Sequence, residues 1–164
     1  MSAQVDYDVL VIGAGSSGSV IAARLSENPN LRVALIEAGP DYANPAATPF
    51  DLINSHNNSY SDHDWGFEYQ PTQHRSDRFP RGRVVGGSSA VNTTIALRGM
   101  PEDYDEWAEV TSDRWSWRSV LPAFKRLERD LDFPDAPYHG DSGPITIRRY
   151  PPAELVPQQQ AFLD

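Results

Sequence analysis

Three glycines near the N-terminus, Gly13, Gly15 and Gly18, follow the pattern G-x-G-x-x-G. Between a strand and a helix, the first permits a tight turn, the second lets a pyrophosphate approach the backbone, and the third allows close helix packing. Amides at the helix start, from about Ser16, would face the phosphates. Glu37 follows Gly18 by nineteen residues, where a carboxylate can accept hydrogen bonds from both hydroxyls of an adenosine ribose. The pattern predicts a dinucleotide site and disfavours NADP, whose 2′-phosphate the carboxylate would repel.

Two strands and a helix are predicted to position these glycines. Residues 9–12 and 33–36 are continuous apolar runs, as is typical of strands buried on both faces. Between them, apolar residues recur at helical spacing until Asn28-Pro29-Asn30 ends the helix. The alternative to a dinucleotide site is a glycine-rich turn in an α/β domain that binds no ligand. The nucleophile turn of the hydrolases is excluded because the serines after Gly15 lack the G-x-S-x-G frame.

A second run, "GRVVGGSSAVNTTIALRG" over 82–99, combines paired glycines with paired serines. The run suits neither a core strand nor a core helix. Gly86 and Gly87 allow a close approach of the backbone, and the hydroxyls of Ser88 and Ser89 can donate to phosphate. This run predicts a second segment that wraps the same ligand.

The second run resembles the first signature of the glucose–methanol–choline (GMC) oxidoreductases, which use FAD. The matching positions are Gly82, Arg83, Val85, Gly86, Gly87, Ser88, Ser89, Val91, Asn92, Gly99 and Asp105. "DWGFEYQP" before the signature, and "DYDEWAE", "WSWRSVLPAFKRLE" and "YHGDSGPITIRR" after it, are similar to neighbouring segments of the family. The fold class implied is α/β, a Rossmann-like FAD-binding domain of GMC type. Only its N-terminal portion is expected here, with the start of a substrate-side region.

The resemblance separates FAD from NAD, which the glycine pattern alone leaves open. It implies that Asn92 and Thr93 lie along the flavin, although Asn92 could instead only tether a loop. Trp65 is equally well explained by stacking near the flavin or by packing in a core. The predicted cofactor-binding residues are Gly13, Gly15, Ser16, Ser17, Gly18, Glu37, Ala38, Trp65, Arg83, Val85, Gly87, Ser88, Asn92 and Thr93.

Position 91 bears on how the cofactor is held. Choline-oxidase-like members of the family carry there a histidine that links covalently to the flavin. Valine cannot form that bond, so the resemblance implies non-covalent FAD.

The general base of GMC enzymes is a histidine near the C-terminus of a chain several times longer than this one. The resemblance therefore implies no catalytic residue among these 164 residues. It implies the FAD-binding part of an oxidase or dehydrogenase that oxidises a primary alcohol by hydride transfer to flavin N5. The chain alone is expected to be inactive, with the C-terminal remainder as a second chain or a missing segment. A lyase resembling the hydroxynitrile lyases and a non-catalytic fragment are the alternatives.

Composition limits the remaining possibilities. The net charge of −9 argues against nucleic acid and anionic membranes as partners, and the absence of cysteine excludes thiolate metal sites. The N-terminus lacks the basic region of a signal peptide, so a cytoplasmic protein is expected. No histidine has another histidine or a carboxylate at ligand spacing in the sequence, so no metal site is predicted. The histidines are His56, His63, His74 and His139.

Three ranges are expected from these patterns. Residues 1–40 form the strand–helix–strand unit, and 41–80 form an irregular excursion or lid. Residues 81–164 complete the N-terminal FAD-binding part, with the signature over 82–105. His139 is expected to have a structural role in a loop.

Overall fold

The computed structural model describes residues 6–54 and 61–163, so His56 lies outside the described residues. The chain forms two compact units, Met1–Ile95 and Ala96–Asp164. These units follow packing, whereas the ranges predicted above follow motifs, and the two divide the chain at different places. The regular elements are β1 (Val9–Ile12), α1 (Ser16–Leu25), β2 (Val33–Ile36), α2 (Phe50–Ile53), β3 (Glu68–Thr72), β4 (Arg75–Arg78), α3 (Ser88–Val91), α4 (Pro101–Val110), α5 (Trp117–Leu127), β5 (Glu128–Asp130), β6 (Ile145–Ile147) and α6 (Pro157–Leu163).

The predicted strand–helix–strand unit is present at the start of the first unit. β1 and β2 pair in parallel, with Val9 opposite Val33 and Ile12 opposite Ile36. α1 ends at Leu25, three residues before the predicted Asn-Pro-Asn stop.

The predicted burial of these strands on both faces is wrong for this chain. Only Val11 is buried on β1, whereas Ile12 is 81% exposed and Ile36 on β2 is 53% exposed. The physical reason is that two strands and one helix cannot cover both faces of a sheet. The buried apolar residues of the first unit are Val11, Ala14, Ala22, Val84 and Val91.

The excursion after β2 contains short elements, as the sequence suggested. A 3₁₀ turn at Pro45–Ala47 precedes α2, and β3 and β4 form an antiparallel hairpin with a bulge. An isolated antiparallel bridge joins Asp64 to Gly82, and it places the segment before the hairpin beside the start of the signature.

The second unit is built on two helices and a short pair of strands. α4 begins at Pro101, a residue type that suits the first position of a helix. The ring centroid of Tyr104 on α4 lies 5.5 Å from that of Trp117 and 5.4 Å from that of Phe124, both on α5. Pro122 lies inside α5. The strand β6 pairs in parallel with β5. None of the helices in the described ranges is long and apolar enough to cross a membrane.

Candidate dinucleotide-binding site

The turn between β1 and α1 brings the first three predicted glycines together. The amide of Gly13 donates to the carbonyl oxygen of Ile36 at 2.7 Å, which ties the turn to the end of β2. A Cβ on Gly18 would lie 1.9 Å from the carbonyl oxygen of Gly13, so only glycine allows this packing. α1 begins at Ser16, so its first amides have no acceptor within the helix and can donate to an anion.

Glu37 reaches across from the end of β2 to this turn. Its Oε2 accepts from the amide of Ala14 at 2.8 Å, and its Oε1 accepts from the amide of Gly39 at 2.9 Å. Each carboxylate oxygen can accept a further hydrogen bond. The carboxylate is therefore fixed beside the turn, with capacity left to accept from ribose hydroxyls.

The signature segment packs directly on the same turn. The amide of Gly86 donates to the carbonyl oxygen of Ala14 at 2.7 Å. Gly87 has φ +57°, and a Cβ there would lie 2.8 Å from the Cα of Gly15, so a side chain would be strained and would clash. The hydroxyls of Ser16 and Ser89 contact each other across this junction. The two motifs, more than seventy residues apart in sequence, thus form one surface of amides and hydroxyls that suits a phosphate.

Ser88 has a partner within the signature. Its Oγ accepts from the amide of Gly82 at 3.1 Å, which closes the loop before α3. The hydroxyl proton is not used in that bond, so Ser88 can still donate to a ligand.

Trp65 lies beside Arg83, the second residue of the signature. The guanidinium carbon of Arg83 is 5.9 Å from the centroid of the Trp65 ring, and that ring stacks on Phe67. Trp65 is 45% exposed, so it is not a core residue in this chain. Both side chains can meet a ligand on this side of the first unit.

The remaining predicted residues are less constrained. Oδ1 of Asn92 accepts from the amide of Thr94 at 2.8 Å, which is the loop-tethering role that the sequence left open. Thr94 has φ +57°, and Asn92 and Thr93 are exposed. Three more of the predicted residues are exposed: Ser17, Ala38 and Val85.

The predicted cofactor-binding residues leave out two glycines and a histidine that lie next to this surface. A Cβ on Gly39 would lie 2.2 Å from the carbonyl oxygen of Arg83, and one on Gly82 would lie 2.3 Å from that of Gly87. Both positions are close approaches of two backbones. Their signal was a glycine just after Glu37 and another at the first position of the signature. His63 is buried, and the carbonyl oxygen of His63 accepts from the amide of Arg83 at 2.8 Å.

A second polar cluster lies in the second unit, around His139. Nδ1 of His139 is 3.0 Å from Oε1 of Glu128 and 3.0 Å from Oδ2 of Asp130. Arg98 pairs with Glu128 at 2.6 Å, and Arg149 pairs with Asp130 at 2.7 Å. Sequence spacing gave no sign of this pairing, because folding joins His139, and likewise His63, to a carboxylate eleven or twelve positions away.

The two carboxylates of this cluster are held ionised. Burial by itself would raise the pKa of Asp130, but hydrogen bonds from Arg149 and from two backbone amides outweigh it and lower the pKa to about 2. Burial of Glu128 is likewise outweighed by a backbone amide, Arg98 and His139, so its pKa lies below the ordinary value. Ligand atoms of the three acid and histidine side chains lie within 4.8 Å of one another, as in a metal site. The oxygens already accept from guanidinium groups and amides, so the arrangement is that of an ion-pair cluster.

The same cluster borders a cavity of about 580 Å³ within the second unit. Its lining includes the aromatic side chains of Trp117, Phe124 and Tyr138 and aliphatic side chains such as Leu127 and Ile145. None of the predicted cofactor-binding residues belongs to this cavity.

Comparison with known proteins decides the family. The GMC oxidoreductase profile matches residues 7–163. The chain belongs to the GMC oxidoreductase family. The resemblance and the fold class predicted from the sequence are therefore confirmed.

Named members of the family show the extent of the similarity. The chain is 38% identical over 161 residues to an alcohol dehydrogenase (acceptor) of Pseudomonas putida, covering 96% of this chain and 28% of that protein. It is 41% identical over 168 residues to choline oxidase of Arthrobacter globiformis, covering 97% and 29%. The crystal structure of pyridoxine 4-oxidase from Mesorbium loti superposes with a TM-score of 0.81 at 34% identity, covering 96% and 31%. The chain thus spans less than a third of the length of these GMC relatives.

Proposed function

We propose that this GMC chain is the FAD-binding portion of an enzyme that oxidises a primary alcohol. The observation that carries the proposal is the packing of Gly87 on Gly15, which joins the dinucleotide turn to the GMC signature. Similarity to an alcohol dehydrogenase and to choline oxidase supports an oxidation rather than a lyase reaction. FAD, when bound, supplies flavin N5 as the acceptor of the hydride from the carbinol carbon.

The residues of this chain fit the adenosine and pyrophosphate part of FAD. The first amides of α1 and the hydroxyls of Ser16, Ser88 and Ser89 supply donors for the phosphates. Glu37 accepts from the ribose hydroxyls with the lone pairs that Ala14 and Gly39 leave unused. Binding, orientation and charge complementarity are the contributions of this part of the enzyme, and the catalytic base lies elsewhere.

Val91 supports non-covalent attachment of the cofactor. It is a buried aliphatic residue at the end of α3, with no atom that could bond to a flavin. We therefore expect that acid precipitation of the holoprotein releases the flavin into the supernatant. Yellow colour retained in the pellet would show a covalent link through another residue.

The proposal includes a partner for the first unit, which is the rest of the enzyme. The uncovered apolar side chains of β1 and β2 support it, since a parallel sheet is normally covered on both faces. The partner is either a further segment of the same polypeptide or a separate chain.

Identification of the released nucleotide tests the proposed function. The complete enzyme is purified and denatured, and the nucleotide is separated and identified by mass. We expect FAD, and we expect the absorbance of the native enzyme near 450 nm to bleach when a primary alcohol is added without oxygen. Release of NAD would contradict the cofactor, and yellow protein that no alcohol bleaches would favour the lyase alternative.

A further inference from the structure

Side chains from the excursion hold both ring nitrogens of His63. Nδ1 lies 2.8 Å from Oδ2 of Asp51 on α2, and Nε2 lies 2.8 Å from the hydroxyl oxygen of Tyr42. The residue is only 4% exposed, and the Tyr42 ring meets the imidazole edge-on at a centroid distance of 5.5 Å. Nδ1 is placed to donate to Asp51, and Nε2 is placed to accept from the hydroxyl of Tyr42, so both ring nitrogens have partners. The orientation of this ring is therefore determined from two sides.

The backbone around His63 pairs with the start of the GMC signature. The amide of Arg83 donates to the carbonyl oxygen of His63 at 2.8 Å, and the amide of Trp65 donates to that of Arg81 at 3.0 Å. Between these bonds, the carboxylate of Asp64 accepts from the amide of Arg81 at 2.7 Å. Anchoring the His63 ring thus also anchors the backbone of residues 81–83.

The anchored backbone leads directly into the phosphate-facing turn. Val84, the next residue, is 1% exposed, and Gly87 lies against Gly15 three residues later. Gly39 also approaches Arg83 closely, because a Cβ on Gly39 would lie 2.2 Å from the carbonyl oxygen of Arg83. A shift of Arg83 would therefore be passed to Gly87 rather than absorbed locally.

We propose that His63 is a positioning residue of the dinucleotide site. Held by Tyr42 and Asp51, it places Arg83, Trp65 and the Gly87 turn in the arrangement that receives FAD. The inference rests on the proposed function, because it assigns His63 a role in binding that cofactor. His63 acts through Arg83 and the turn and need not touch the cofactor itself.

Three substitutions in the complete enzyme test this role. The dissociation constant of FAD from the reconstituted apoprotein is measured by quenching of flavin fluorescence, well below the unfolding temperature. We expect His63→Ala to raise the constant about tenfold or more, because it removes two buried hydrogen bonds that set the segment. For Asp51→Asn the dissociation constant should stay within about threefold of the wild-type value, since the amide oxygen of the asparagine still accepts from Nδ1 of His63. Tyr42→Phe removes one of the two hydrogen bonds to His63, so its dissociation constant should lie between those of Asp51→Asn and His63→Ala.

Ala22→Gly is the matched control, because Ala22 is buried in α1 and outside the network. Glycine lowers helix stability, and a modest loss of stability leaves the affinity of a fully folded protein unchanged. If His63→Ala lowers the unfolding temperature but leaves the dissociation constant at the control value, His63 is only structural and the inference fails. An Asp51→Asn variant that binds FAD as weakly as His63→Ala would also contradict the role assigned to the hydrogen bond between Asp51 and His63.

Two further outcomes keep the test decisive. Should His63→Ala fail to fold, Tyr42→Phe carries the same comparison, because it deletes a single hydroxyl. A wild-type enzyme that binds no FAD would refute the proposed function itself. Normal FAD binding by the wild type and by every variant would refute only the role of His63.

Discussion

At the scale of single residues, Glu37 joins two functions in one carboxylate. It accepts from the amides of Ala14 and Gly39, and by our proposal it also accepts from the ribose of FAD. The hydrogen bond from the amide of Ala14 connects the glycine turn to the end of β2, so the side chain shapes the site before any ligand binds. Removing the carboxylate should therefore affect both folding and binding.

We predict that Glu37→Ala weakens FAD binding by roughly ten- to a hundredfold. A hydrogen bond to a charged group is worth about 1.5–3 kcal/mol, and here the ribose would lose its acceptor. Titration of the apoprotein of the complete enzyme with FAD measures the effect. Glu27→Ala is the control, because Glu27 forms only an exposed ion pair with Arg24. Equal FAD affinity in Glu37→Ala and Glu27→Ala would refute the ribose assignment.

At the scale of elements, the short strands β5 and β6 are held largely by charged side chains. Asp130 on β5 is 1% exposed and accepts from Arg149, which follows β6 by two residues. The carboxylate also accepts from the amides of Asp132 and Phe133 and so shapes the loop that follows β5. This ion pair therefore stabilises both the strand pair and the loop.

The lowered pKa of Asp130, about 2 against an ordinary 3.8, predicts a pH dependence with a definite sign. A carboxylate with a lowered pKa in the folded state contributes stability above its ordinary value, and that contribution is lost as the pH falls through the folded value. We expect Asp130→Asn to destabilise the complete enzyme by about 1–3 kcal/mol at pH 6. The difference from wild type should shrink between about pH 4 and pH 2.

Urea unfolding at pH 6, 4 and 3 measures this difference. Asp135→Asn is the control, because Asp135 is an exposed carboxylate in the loop after β5. A destabilisation by Asp130→Asn that stays constant from pH 6 to pH 3 would contradict the ion-pair assignment.

At the scale of the whole molecule, much apolar surface is uncovered. On the β1–β2 sheet, three apolar residues are more than half exposed: Leu10, Ile12 and Ile36. In the second unit, Leu97 is 85% exposed. Exposed strands with apolar faces promote association between chains.

We predict that residues 1–164 expressed alone are not a stable, active enzyme. Size-exclusion chromatography should show association, thermal unfolding should lack a sharp transition, and flavin content should be far below one per chain. Co-expression with the remainder of the enzyme is the matched comparison, and it should restore a defined particle with FAD. A monodisperse monomer of residues 1–164 with a cooperative transition, stoichiometric FAD and alcohol-dependent bleaching would overturn this prediction.

Local patterns predicted the parts of the fold that depend on neighbouring residues. β1 and β2 were predicted with the bounds that the structure has, and α4 begins at a proline, whose fixed φ suits a helix start. Apolar runs, glycine spacing and a proline at a helix start act over a few residues, so they can be read without a tertiary structure.

The family and the two glycine motifs could be recognised without a structure, because the GMC signature and the G-x-G-x-x-G turn are contiguous patterns. Tertiary structure was needed to show that Gly87 lies on Gly15, that Glu37 accepts from the amide of Ala14 in the turn, and that His63 and His139 have carboxylate partners. These contacts join residues from eleven to more than seventy positions apart. No local pattern encodes them, because the distance between two side chains depends on how the intervening chain packs.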